Sequence, residues 1–193
     1  MKPGIVLLFP GIRYSCDMPL LYYPAMKYSA AGYEIVKVDY GPAFANVTSW
    51  KKSEVGDSIR MAESCCIGAL RKIPWAEYEQ VIFVSKSMGT AVAGQAAEEL
   101  GLEPVQYYLT PVVQTLPYLV SGHRIGAVVA GSADNVMDHA ELEAHCRKQG
   151  IPLTTIPDVA HRLEVKGDPE KSLEIVKVVM RLFTMPAGEE AHE

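Results

Sequence analysis

Val81-Ile82-Phe83-Val84-Ser85-Lys86-Ser87-Met88-Gly89-Thr90 is the stretch on which the reading of this chain turns. A run of β-formers ends at a serine that has small residues, Ser85 and Gly89, two positions to either side, and a helical pattern begins at once. This is the layout of a nucleophile elbow, a tight strand-to-helix turn that pushes one serine out into a cleft. The turn forces strained backbone geometry on the serine, so bulky flanking side chains would clash. The usual form has glycine on both sides, and Ser85 departs from it. The plainer alternative is an ordinary loop between strand and helix, with Ser87 serving as a helix N-cap.

Working outward, short apolar runs alternate with helical patterns along the whole chain. Strands are expected at residues 5–9, 34–40, 80–85, 105–109, 125–130 and 153–156. Helices are expected at 22–31, from a cap at Ser53 to about 72, and at 88–100, 139–149 and 169–183, many of them ended by glycine. Residues 41–52, with Phe44 and Trp50, read as a loop. Strands that are continuous apolar runs, separated by helices, imply a parallel sheet covered on both faces. A single α/β domain over residues 1–186 follows, with a frayed tail at 187–193.

In such a sheet ligands gather beyond the carboxyl ends of the strands. Phe9-Pro10-Gly11-Ile12, Ser87, Asp134 and His161 all fall there, so a serine, an acid and a histidine share one sheet edge in the order Ser…Asp…His. That is the order expected of α/β-hydrolases. With its segments Phe9-Pro10-Gly11-Ile12, Ser85-Lys86-Ser87-Met88-Gly89, Ala130-Gly131-Ser132-Ala133-Asp134 and Asp158-Val159-Ala160-His161, the chain resembles the α/β-hydrolase superfamily over residues 4–183. It looks like a small, lidless member without the superfamily's first two strands. The resemblance implies a three-layer α/β/α sandwich around a six-stranded parallel sheet in the order 2-1-3-4-5-6, with no cap domain. Pro10-Gly11 stands where many members carry His-Gly.

The resemblance also implies roles. Ser87 would be the nucleophile, His161 its general base and Asp134 the partner that orients the imidazole. The backbone N–H groups of Met88 and Ile12 would receive the oxyanion. Arg13, Tyr14, Lys86 and Thr110 are placed on the substrate side of the cleft. Arg13, Lys86 and Arg162 together would favour an anionic substrate, against the plainer alternative of solvated side chains pointing away. The cleft is expected to be open, rimmed by residues 111–124 and by loops bearing Tyr14, Tyr22, Phe44 and Trp50. The substrate would be a small or medium ester or thioester.

Rival residues have simpler uses. Asp138 suits a helix N-cap, Asp158 a turn and Asp39 the shaping of its own loop. His123 lies at the opposite sheet edge, His139 and His145 share no helical face, and His192 sits in the tail. A net charge of −5 argues against nucleic acid, and no basic run or long apolar stretch points to a membrane. Cys16, Cys65, Cys66 and Cys146 match no zinc pattern and read as free thiols of a cytoplasmic protein. No metal or other cofactor is expected, and a homodimer is compatible with these motifs. Two other classes remain: an idle hydrolase-fold binding or scaffold protein, and a flavodoxin-like or nucleotide-binding domain. The latter is disfavoured by the absence of a P-loop or Gly-x-Gly-x-x-Gly turn.

Overall fold

In the sheet, odd and even residues of each strand are sorted onto opposite faces, which is what period-two side-chain alternation requires. In the computed structural model, which describes residues 1–45 and 55–184, all five residues of β1 (Ile5–Phe9) are fully buried. Val6 and Leu8 face one core, with Ile82 and Val84, while Ile5, Leu7 and Phe9 face the other, with Phe83. The first core is closed by α1 (Pro19–Ala30) and α6 (Pro169–Met180). The second is closed by α3 (Val55–Leu70) and α4 (Met88–Leu100). A third cluster joins Tyr108, Val128 and Ala130 of the sheet to Leu142 and Cys146 of α5 (His139–Gln149).

The strands β1, β2 (Glu34–Lys37), β3 (Val81–Lys86), β4 (Val105–Leu109), β5 (Ile125–Gly131) and β6 (Leu153–Ile156) form one sheet. Their order is β2-β1-β3-β4-β5-β6 and every pairing is parallel, as expected. The chain moves outward from β1 to β2, then returns to place β3 on the other side of β1. The crevice beyond the ends of β1 and β3 is therefore the point where strand order reverses, the usual place for a ligand in an open sheet.

Several element boundaries differ from the expectations for identifiable reasons. β2 stops at Lys37 and not at residue 40. Val38 still donates to the Leu8 carbonyl at 3.0 Å, but further pairing would need an N–H from Pro10, which has none. α1 begins three residues early because Pro19 is well suited to a helix's first turn. α6 ends at Met180, and Phe183 leaves the helix to set its ring 4.4 Å from that of Tyr107. Part of the expected loop after β2 is a short helix, α2 (Pro42–Ala45). Trp50, the Ser53 cap and the tail with His192 lie outside the described residues.

The crevice depends on close backbone approach. A Cβ on Gly89 would lie 2.3 Å from the carbonyl oxygen of Phe9 and 2.5 Å from that of Pro10. A Cβ on Gly11 would lie 2.9 Å from the Ser87 Cβ. Both contacts involve rigid strand ends, so neither side can yield cheaply. Gly89→Ala should lower stability by at least ~2 kcal/mol through overpacking. The expected result is a lower urea midpoint at unchanged denaturant slope.

Candidate active site

Ser87 occupies the turn between β3 and α4 with φ 56° and ψ −125°, a conformation rare for a residue with a side chain. Three bonds hold it there. Its N–H donates to the Leu109 carbonyl at 2.9 Å, and its carbonyl accepts from the Thr90 N–H at 2.9 Å and from the Thr90 hydroxyl. Ser85 fills the small-residue position by turning its hydroxyl inward, donating to the Tyr107 carbonyl at 2.9 Å. The sheet has room for the hydroxyl, so glycine is not needed there.

Asp134 follows β5. Its side chain is only 1% exposed, and Oδ1 accepts from the Val136 N–H at 2.8 Å and the Met137 N–H at 3.3 Å. His161 lies in the loop after β6. That loop is bound to the Asp134 loop through Ala133 N–H to Val159 O at 3.1 Å and Asp158 N–H to the Ser132 hydroxyl at 2.8 Å. The approach is so close that a Cβ on Gly131 would fall 1.9 Å from the Val159 oxygen. Glycine at 131 thus allows the two loops to touch.

The result is an unbroken chain of hydrogen bonds. His161 Nε2 lies 2.7 Å from Ser87 Oγ, and Nδ1 lies 2.8 Å from Asp134 Oδ2 and 3.0 Å from Oδ1. The carboxylate can only accept, so Nδ1 carries the proton and Nε2 is left to accept from the serine. Burial raises the Asp134 pKa, but His161 and the two backbone N–H donors outweigh it and hold the carboxyl below its ordinary value. His161 is lowered as well: burial and the nearby Lys86 and Arg162 cations outweigh the pull of Asp134. A neutral imidazole beside an ionised carboxylate is therefore favoured at neutral pH.

The expected oxyanion donors stand on either side of the serine. Met88 is the first residue of α4, so its N–H has no acceptor within the helix. Gly11 and Tyr14 exchange N–H···O bonds of 3.0 and 3.1 Å, closing a turn that leaves the Ile12 N–H out of the pairing.

Two of the residues expected to touch substrate are elsewhere. Lys86 is 1% exposed and Thr110 is fully buried, so neither reaches the cleft. Nor is Lys86 a solvated side chain. The same strand face that buries Ile82 and Val84 carries Lys86 inward, where its ammonium lies 5.1 Å from the Tyr14 ring centroid. Tyr14 is itself nearly buried and its hydroxyl accepts from the Leu20 N–H at 3.1 Å. Arg13 is exposed, with φ 55°. Arg162 pairs with Glu164 at 2.8 Å, a residue that no motif in the chain singles out.

The rim also differs from expectation. Within residues 111–124 the 3₁₀ turn Val113–Tyr118 packs on α4, and Val112, Thr115 and Leu119 are buried. A cleft of about 820 Å³ opens on the other side, between α1, α6 and the His161 loop. Tyr14, Leu20, Leu163, Leu173 and Val176 line it, and it meets the hydrogen-bonded line of Ser87, His161 and Asp134 at His161.

The rival residues keep to local tasks. Asp138 caps α5 by accepting from the Glu141 N–H, Asp158 turns at φ 57°, and Asp39 accepts from the Gly41 N–H. His123 and His145 bond the carbonyls of Tyr118 and Leu119. All four cysteines are free thiols, and burial pushes Cys16 up to about 11. Among the described residues no group of three or more His, Cys, Asp or Glu could hold a metal, and no helix is long and apolar enough to cross a membrane.

With this geometry the chain superimposes on solved structures along nearly its whole length. An α/β serine hydrolase homologue from Coxiella burnetii matches with a TM-score of 0.63 at 10% identity, over 95% of this chain and 86% of that one. The fold is that of the α/β-hydrolases. A member described as a serine hydrolase without lid, from Xanthomonas campestris, matches this hydrolase fold with a TM-score of 0.60 at 16% identity, over 94% of this chain and 81% of its own. Est1E from Butyrivibrio proteoclasticus, in its structure with bound ferulic acid, gives 0.60 at 10% identity, over 93% and 88% of the two chains. No protein-family model and no curated protein matches the sequence. At these identities the likeness speaks for the fold and leaves the reaction to the site.

The buried pair couples stability to pH. A histidine whose folded pKa lies below its ordinary 6.5 binds its proton more readily when unfolded, so stability rises with pH through that interval and falls on acidification. Asp134, held below 3.8, adds a second loss at lower pH, as its folded carboxylate is forced to protonate. Urea midpoints should therefore fall as pH drops below about 6.5. In His161→Gln the slope between pH 5 and 6.5 should flatten.

Proposed function

We propose that the protein is a serine hydrolase that cleaves carboxylic esters or thioesters of small to medium acyl groups through an acyl-enzyme. The observation that carries this reading is the continuous hydrogen-bonded line from Ser87 through His161 to Asp134. A serine hydroxyl is a weak nucleophile, and a neighbouring neutral imidazole remedies that. His161 Nε2 takes the Ser87 proton as Oγ bonds to the substrate carbonyl carbon, and the carbonyl oxygen becomes an oxyanion. Asp134 stabilises the imidazolium without itself being protonated. The N–H groups of Met88 and Ile12 receive the oxyanion, a contribution that typically reaches roughly 3–4 kcal/mol per donor.

Collapse of the tetrahedral intermediate breaks the bond to the alcohol or thiol, which leaves with the proton from His161. Water then attacks the acyl-enzyme by the same steps in reverse roles, releasing the carboxylic acid and restoring Ser87. All the groups used are side chains and backbone of this chain. The largely apolar cleft beside His161 supports a substrate with a small or medium hydrophobic portion, since such pockets bury apolar surface around a few polar groups.

A fluorophosphonate probe should label the protein at Ser87, and Ser87→Ala should abolish labelling while folding normally. Absence of label on the folded wild type would overturn the reading. On p-nitrophenyl acetate, Ser87→Ala and His161→Ala should each lose activity by roughly 10⁴-fold, and the double variant should lose little more. The acid limb of kcat/KM should have an apparent pKa below 6.5, because burial lowers His161 and the imidazolium cannot act as a base.

A further inference from the structure

A lysine inside a strand buried on both faces is costly unless its charge is met, since a buried ion gives up its hydration. Lys86 is such a residue, and its contacts are specific. Nζ donates to Thr110 Oγ1 and, at 2.9 Å, to the backbone carbonyl of His161, and it lies 5.1 Å from the Tyr14 ring centroid. Three directions of an ammonium are thus met by groups from three segments: the end of β4, the loop after β6 and the loop after β1. Thr110 is fixed in turn, with φ 45° and its N–H donating to the Val129 carbonyl at 2.7 Å. Holding a β-branched residue in that region requires strong surroundings.

We propose that Lys86, resting on the proposed hydrolase chemistry, is a positioning residue for His161: its amine ties the His161 backbone to the ends of β3 and β4, so that the ring meets Ser87, and sets the charge that the ring feels. The tie acts where the loop needs one. His161 reaches Ser87 across 74 residues of sequence, and its loop includes Leu163 at φ 58° and Arg162, which is bonded to exposed Glu164. The Lys86 link is the buried anchor on the side of the loop facing the nucleophile's own strand. One residue thus couples the elbow to the base: Lys86 precedes Ser87 in sequence and holds His161 in space.

The charge has a second effect. The groups that face Lys86 are Asp134 from the β5 loop, His161, Arg162 and Glu164 from the β6 loop, and Tyr14 from the β1 loop. Burial pushes Lys86 down to about 7, with Asp134 and Glu164 opposing and Arg162 reinforcing. A protonated Lys86 opposes protonation of the imidazole, and its removal should let His161 hold a proton at higher pH.

Lys86→Met, similar in length but without donors or charge, tests both effects. On p-nitrophenyl acetate it should lose about 10- to 100-fold in kcat with KM little changed, and the His161 titration followed by NMR should move to higher pH. Wild-type kcat together with an unmoved titration would overturn the proposal. The NMR readout needs no turnover, so it separates this proposal from the hydrolase reading, which stands or falls on labelling of wild-type Ser87. Should Lys86→Met fail to fold, the pair Thr110→Val and Thr110→Ser takes its place. Valine removes the acceptor and should lower kcat severalfold, while serine restores it. Equal kcat in the two would overturn the proposal.

Discussion

The site depends on a single backbone constraint, the left-handed turn at Ser87. A non-glycine residue with φ 56° is costly by something of the order of 1–3 kcal/mol, and the surrounding structure has to over-determine it. Here it does so from two directions. Leu109 and Thr90 hold the peptide groups on either side of the serine, while the Phe9 and Pro10 carbonyls pack so closely that only glycine fits at 89. The turn cannot relax without prying β1 from α4. What the strain achieves is orientation: the strand's next side chain, which alternation would bury, is lifted to the rim where the histidine can reach it.

The same logic of close approach recurs at Gly131. Gly11 and Gly89 bring the β1 loop onto the elbow, and Gly131 brings the histidine loop onto the acid loop. The hydrogen-bonded line of three side chains is thus assembled from loops that meet only because no Cβ intervenes. Electrostatics then follows from packing. Asp134 stays ionised despite burial because His161 and two backbone N–H groups donate to it, and His161 stays neutral because its surroundings are dry and hold Lys86 and Arg162.

Much of this was legible in the sequence. The apolar runs at β1 and β3–β5 place those strands to within a residue, because a strand covered on both faces must be apolar nearly throughout. β2, an edge strand with exposed ends, is read too long, since its termination is set by Pro10 on its neighbour. Ser87, Asp134 and His161 could be placed together because each closely follows a strand, and strand ends in a parallel sheet share an edge. Lys86 was misplaced by residue type: a basic side chain is read as solvent-facing unless its strand register is followed, and the register of Ile82 and Val84 points 86 inward, where Thr110 is buried beside it. The Tyr14–Lys86–Thr110 cluster joins three distant segments and leaves no local signature.

By itself, the order of residues determined the alternation of strands and helices, the tight turn at the serine and the chain order of serine, acid and histidine, for these are written in local periodicity and in the placement of glycine. Only the tertiary structure decided that the imidazole bridges hydroxyl and carboxylate, that the amine of Lys86 is turned inward against the histidine's backbone, and that the cleft opens beside α1 and α6. Those outcomes rest on distances between segments far apart along the chain, and such distances are fixed by how the loops pack once the sheet has formed.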